Sequence, residues 1–318
     1  MLKRIYTKKL IICAITLFAL FLIYIIPEKK EEIKIKEELN YVNKNIETSP
    51  IFLLDKNNYL ASTRIVTTKK DIEGVATELI EALIIDGNMQ DNIPPGFKAI
   101  LPTNTKILSL SFKDNIMKVN FNKEVLNTNK ENEERIIEAI VYTLTGLENV
   151  KFVTIYVDGE ILTKLPQTKI NLPATLTRRI GINKEYNVNS TNNISKTTIY
   201  YISEHNDQEY YVPVTKVNND SRDKIEIIVD ELSSNNVYKT NLMSYLNNNT
   251  KVLSVNEENN EIVVNFNSAI FNDINTKEIL EEVIYTISLS INDNYDVSSI
   301  VFNVENEEIY KSVNKSIE

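Results

Sequence analysis

The sequence predicts an α+β protein of two tandem repeats, each a mixed sheet with two helices on one face, after an N-terminal transmembrane helix. Three observations predict this. Residues 105–122, TKILSLSFKDNIMKVNFN, and 250–267, TKVLSVNEENNEIVVNFN, agree at nine of eighteen positions without a gap. Around them, apolar patterns of period two and period 3.6 follow one another in the same order in both halves. Ahead of both, an uncharged run at 10–26 lies between Lys3, Arg4, Lys8 and Lys9 on one side and Pro27 on the other.

The elements follow in chain order. At about 1.5 Å per residue the run 10–26 reaches about 25 Å, enough to span a hydrocarbon core. No small-x-small cleavage signal precedes Pro27, and Cys13 stands before most of the apolar stretch, unlike a lipoprotein cysteine. Residues 1–26 therefore read as a cytoplasmic stub and uncleaved signal anchor, with the rest of the chain exported. Residues 27–48 mix Lys and Glu and read as a charged stalk. The first domain is 49–165, the connector 166–194 and the second domain 195–318. Ile51–Leu54 and Leu60–Val66 are expected strands, matched by Thr198–Ile202 and Tyr210–Val217. A helix then places Val75, Leu79 and Leu83 on one face, matched by Ile225, Ile228, Val229 and Leu232.

A hairpin follows. Leu108, Leu110 and Phe112 point inward, Lys113-Asp114-Asn115 turns, and Met117, Val119 and Phe121 return. Its counterpart uses Leu253 and Val255, a turn at Glu258-Asn259-Asn260, then Ile262, Val264 and Phe266. The second helix carries Ile136, Ile140, Val141 and Leu144, set against Ile279, Val283, Ile284 and Ile287. That register gives Tyr142-Thr143 and Tyr285-Thr286 equal places. The last strand offers Val153, Ile155 and Val157, mirrored by Ile300, Phe302 and Val304. The order is β-β-α-β-β-α-β. Gly87 aligns with Asn236 and Gly159 with Asn306, positions that read as left-handed. The connector stretch 175–186 holds Leu176, Ile180 and Ile182 with only Gly181 to loosen it, which predicts packed rather than free domains.

Composition bounds the chemistry. The 318 residues are 42% hydrophobic and 25% charged, with a net charge of -9, one His, one Cys and six Gly. An acidic chain is repelled by phosphate backbones, so no nucleic-acid partner is expected. A single Cys and a single His exclude thiolate and multi-His metal sites, and no GxxxxGK[ST] or GxGxxG occurs. No catalytic residue, cofactor or metal is expected, and the chain reads as a non-enzyme. His205 lies between the first two strands of the second copy, where the first has Lys56-Asn57-Asn58, and reads as a solvated loop histidine. Arg64 and Lys216 share a basic strand end that meets a partner's carboxylates or pairs with Asp71 and other nearby acids. Asp158 and Glu305 each precede a turn. On the sheet faces away from the helices, Ile116, Tyr156, Val263 and Val301 form the candidate interface, for a protein partner or the sister domain.

In order, the anchor, the repeated TK(I/V)LS and VNFN runs, the YT helix, the VDG strand end and the LTRRIGIN run at 176–183 resemble the GerMN-domain family in its tandem form. The resemblance covers about 49–313. It implies α+β domains similar to ring-building motifs, without catalysis. It also implies a membrane-tethered scaffold in the sporulation envelope that joins mother cell and forespore, with other envelope proteins as partners and ring or oligomer assembly as one mode. The space between the two membranes is the implied location. Two alternatives stay open at this point: an activator of cell-wall hydrolysis, and a germination-related ligand sensor.

Overall fold

The computed structural model describes residues 14–18, 21, 47–234 and 241–313. Most of the expected anchor at 10–26 lies outside the described residues. Residues 14–18 and 21 are helical and exposed, and among the described residues no helix is long and apolar enough to cross a membrane. The described residues from 47 onward form one compact unit.

The first repeat runs β1 (Thr48–Leu54), β2 (Leu60–Val66), α1 (Ile72–Leu83), β3 (Ile107–Lys113), β4 (Ile116–Phe121), α2 (Glu133–Leu144), β5 (Phe152–Val157) and β6 (Glu160–Ile161). A connector with a 3-10 turn (Arg178–Ile180) and β7 (Glu185–Asn187) leads to the second. That repeat runs β8 (Ser195–His205), β9 (Gln208–Asn218), α3 (Lys224–Ser233), β10 (Val252–Glu258), β11 (Glu261–Phe266), α4 (Glu281–Asn294), β12 (Ser299–Val304) and β13 (Glu307–Val313). Two of the helices start on Asp caps: Asp71 accepts from the Gly74 N–H and Asp223 from the Ile225 N–H.

Each repeat thus has one strand more than expected, β6 or β13, folded back by a two-residue turn. The larger difference is in pairing. Each repeat builds a four-stranded mixed sheet, β3-β4-β5-β6 or β10-β11-β12-β13, whose parallel step is crossed by α2 or α4. The opening hairpin does not join that sheet. β1–β2 and β8–β9 instead meet each other in a separate five-stranded sheet that spans the two repeats. The alternation of β1 and β2 fits either arrangement, since a strand pattern marks a buried face and not the neighbouring strand.

Helix faces pack on the four-stranded sheets. Leu79, Leu83, Ile136 and Ile140 meet Met117, Val119, Val153 and Ile155 in one core, which also takes Ile51 and Leu53 of β1. Ile228, Leu232, Ile287 and Ile291 meet Ile262, Val264 and Phe302 in the other, which takes in Ala61 of the first repeat. Phe97 packs against both cores. The expected core residues Leu108 and Leu253 are about half exposed instead, at 52% and 49%. A β-bulge between Ile107 and Ser109, repeated between Val252 and Ser254, adds one residue and turns each Leu outward.

The α2 and α4 registers also differ from the sequence match. Val283, Thr286, Ile287, Ser290 and Ile291 are buried in α4 as Ile136, Ala139, Ile140, Thr143 and Leu144 are in α2. Tyr142 is fully buried whereas Tyr285 is 46% exposed. The true partner of Thr143 is Ser290, one turn beyond Thr286. Both hydroxyls accept a backbone N–H from an opening hairpin: Phe52 to Thr143 at 3.0 Å and Tyr200 to Ser290 at 2.8 Å. Short identity across YT outweighed burial in the sequence reading.

The seam rests on little backbone. β2 and β9 share one register pair, Ser62 with Tyr211, and β7 takes the rest of that edge. Asn183 fills the junction. Its Oδ1 accepts from the Leu60 N–H at 2.9 Å, and its Nδ2 donates to the Leu60 and Pro213 carbonyls at 2.8 Å each. Asn183→Ala is expected to lower stability by about 2–3 kcal/mol, through three lost bonds and a left-handed φ of 47° that Ala tolerates poorly. Asn183→Gly, which relieves only the backbone, should fall less. Urea unfolding of the three proteins checks the order, and equal stability of all three would contradict it.

Candidate functional site

The strongest sequence signature is spent on turns. In the first repeat, Asn122 Oδ1 accepts from the Lys106 N–H at 2.8 Å while its Nδ2 donates to the Asn104 carbonyl. Asn267 does the same for Lys251 and Asn249. Two residues earlier, Asn120 accepts from the Gly159 N–H and Asn265 from the Asn306 N–H. The VNFN run therefore clamps the hairpin's open end and the turn after the parallel strand in both copies. Gly159 and Asn306 hold φ of 88° and 70°, left-handed as expected. Gly87 is different: it is not left-handed, and a Cβ there would come within 2.8 Å of the Glu81 carbonyl. Its expected counterpart Asn236 lies outside the described residues. Asp158 and Glu305, each at φ 49°, are the first residues of the same two turns.

The chemical candidates are scattered. His205 is half-buried, and its ring packs over Gly96, where a Cβ would sit 2.3 Å from the His205 ring. It is thus part of the seam between repeats and not a solvated loop residue; the local sequence carries no sign of a distant Gly. Beside it, Phe97 and Tyr210 meet edge to face at 4.9 Å, and the Tyr210 hydroxyl donates to Asp55 at 3.0 Å. Arg64 donates to Thr48 rather than to Asp71, which caps α1. Lys216 pairs with Glu185 at 2.7 Å and Glu231 at 3.5 Å. Among the described residues no group of three or more His, Cys, Asp or Glu could hold a metal ion.

The four expected interface residues stay on their two separate sheets. Ile116 and Tyr156 lie on the first sheet, Val263 and Val301 on the second, where the latter two are register partners. Ile116, Tyr156 and Val263 are half-buried. Val301 is only 3% exposed, against the expectation of an open position. Lys311 of β13 reaches Glu261 of β11 at 2.5 Å, so its stem crosses β12, where Val301 sits. An open hollow of about 610 Å³ borders this face, lined by Asn256, Glu257, Glu258, Glu261, Val263 and Ser299.

The densest polar geometry is at the connector, where the 176–183 run supplies most of it. Arg178 donates to Asp293 at 2.6 Å and to the Thr145 hydroxyl at 2.9 Å, and lies over the Tyr142 ring at 5.0 Å. The Asp293 carboxylate also accepts from the Tyr200 hydroxyl at 2.9 Å. Burial first, then the Asp293 charge, pushes the phenols of Tyr142 and Tyr200 well up. Lys184 is held by Glu134 and Glu138 at 2.5 and 2.7 Å; burial lowers its ammonium, but the two carboxylates more than offset this and raise it. In the sequence Arg178, Asn183 and Lys184 read only as part of the connector. The signal was there: two arginines and an Asn inside an otherwise apolar link.

Glu133 gives the fold a sign for pH. Burial raises its carboxyl, but the Thr168 hydroxyl and N–H and the Gln167 N–H, each at 2.6 Å, together bring it below the usual range. A depressed carboxyl stabilises fully above the unfolded value of about 4.3 and loses this as pH falls through the folded value. Glu133→Gln is therefore expected to cost about 1–3 kcal/mol at neutral pH. The gap from wild type should close as pH falls below about 4. A gap that stays constant in acid, read by urea titration at stepped pH, would contradict this.

With the geometry in place, kinship can be compared. The sequence profile of the Germane family, described as "Sporulation and spore germination", matches residues 50–163 and 198–310. The chain belongs to the Germane family. The spore germination protein GerM of Bacillus subtilis (strain 168) is 31% identical over 255 residues, covering 79% of this chain and 69% of that protein. The solved tandem GerMN domains of the sporulation protein GerM from Bacillus subtilis align with a TM-score of 0.73 at 29% identity, covering 82% of this chain and 92% of that one. The resemblance read from the TK(I/V)LS and VNFN runs is borne out by both.

Proposed function

We propose that this chain is a membrane-anchored, non-enzymatic scaffold in spore formation, supporting assembly or localisation of the complex that joins mother cell and forespore. Kinship with GerM and membership of a family described by sporulation and germination support the process. The observation that carries the scaffold role is the junction. Arg178, Asn183 and Lys184 tie both repeats into one compact unit, which carries two mixed sheets with outer faces of mixed polarity. A body of that kind presents paired docking surfaces in a set geometry. The partners are other proteins of the spore envelope, reached from a chain tethered at its N-terminus.

The test uses an endospore-forming host lacking the gene and complemented with variants. Tyr156→Glu combined with Val263→Glu places charges that stay wet in the free protein but must be desolvated at an interface. The double variant should melt like wild type and yet leave the heat-resistant spore count near that of the deletion. Full sporulation without the gene, or full rescue by the double variant, would contradict the reading. Val301→Glu is unsuitable, because its site beneath Lys311 makes loss of stability the expected result.

A further inference from the structure

At the seam between the connector and the second repeat lies a hollow of about 270 Å³ with a charge unlike the rest of the chain. Four cations line it, Arg178, Arg179, Lys196 and Lys224, against one carboxylate, Asp293. The chain as a whole carries a net charge of -9. Asp293 is already committed, to the Arg178 guanidinium at 2.6 Å and the Tyr200 hydroxyl at 2.9 Å. Among the described residues, Arg179, Lys196 and Lys224 make no ion pair.

The nearest acids are engaged elsewhere. Asp223, next to Lys224, caps α3 and accepts from the Tyr295 hydroxyl at 3.2 Å. Glu134 and Glu138, which act on Lys196 from across the connector, hold Lys184. Burial first, and then a neighbouring cation, lowers both amines: Lys184 acts on Lys196 and Arg179 on Lys224. Three like charges are thus gathered from three elements, the 3-10 turn, β8 and the first position of α3. Such a gathering is unfavourable unless an anion completes it. Thr198 and Thr215, whose hydroxyls are bonded to each other at 3.0 Å, border the same hollow.

We propose that this hollow binds a phosphate group, free or as a monoester. Its volume falls below that of a typical pocket for a drug-sized ligand, about 300–1,000 Å³, and suits a small oxyanion with its water. Donors arrive from several directions and carry more than one surplus positive charge. That matches a tetrahedral anion of charge near -2 better than a flat carboxylate of charge -1. The local cluster acts at contact range, where the acidic remainder is screened beyond about 10 Å at 0.1 M salt.

The experiment is a thermal-shift and calorimetric titration of the full chain in a neutral detergent, at constant ionic strength. The probes are inorganic phosphate, methyl phosphate as a monoester, acetate, and sodium chloride as the reference. A saturable rise in Tm with either phosphate probe, beyond chloride and acetate, is expected, and the probe preferred distinguishes the free ion from a phosphomonoester source. The double variant Arg179→Gln, Lys224→Gln should weaken phosphate binding at least about tenfold. Its melting point in chloride should equal or exceed that of wild type, because it removes repulsion and no ion pair of the core. Lys113→Gln, on the far side of the first sheet's hairpin turn, should bind as wild type does. No saturable response, an equal response in the double variant, or acetate binding as tightly as phosphate would overturn the proposal.

Discussion

A carboxylate withdrawn from water has to be answered by a cation, and in this chain the two come from different parts of the molecule. Arg178 belongs to the connector, and Asp293, with a side chain only 3% exposed, to the last helix of the second repeat. The same guanidinium touches the Thr145 hydroxyl and the Tyr142 carbonyl of the first repeat. Removing Asp293 would leave the guanidinium, itself 26% exposed, without its carboxylate, at a cost below the about 3–5 kcal/mol of a fully buried pair. The arrangement of the repeats depends on this because the shared sheet alone offers a single register pair between β2 and β9. Arg178, Asn183 and Lys184 supply in side chains what the backbone ladder lacks there.

Much of the fold was legible because each repeat states it independently. The returning strands were read to the residue, at Met117, Val119 and Phe121 and at Ile262, Val264 and Phe266, and so was most of the apolar face of the helix over 224–233. In the helix over 72–83 the reading holds for Leu79 and Leu83 but takes the half-buried Val75 in place of Ala76 and Ile80. The turns were legible for a chemical reason. Among the described residues five two-residue hairpin turns, including Asp114-Asn115, Asn206-Asp207 and Asn259-Asn260, hold both residues at positive φ. Asn and Asp tolerate that conformation best after Gly, so a chain with six Gly builds its hairpins from Asn.

What was not legible is long-range. Alternation in β1 and β2 shows a buried face but not that the hairpin departs from its own repeat to meet its sister's. Leu108 looked like core because the bulge that turns it outward leaves the alternation of the letters unchanged. The α4 register was misjudged by one turn because Tyr-Thr occurs in both helices, yet only Tyr142 is buried. The candidate interface was legible only as a face: Val301 lies on it, but the Lys311–Glu261 pair that covers it joins strands on either side, one of them the strand that the sequence pattern did not yield. His205 was likewise isolated in sequence and meets Gly96 only in three dimensions.

The central claim is that the connector makes two repeats into one cooperative body. Differential scanning calorimetry of the full chain tests it most directly. One endotherm is expected from the tandem domains, with equal van't Hoff and calorimetric enthalpies, moving down as a whole in Asp293→Asn. Two resolved endotherms in the wild-type chain, with Asp293→Asn shifting only one of them, would contradict it.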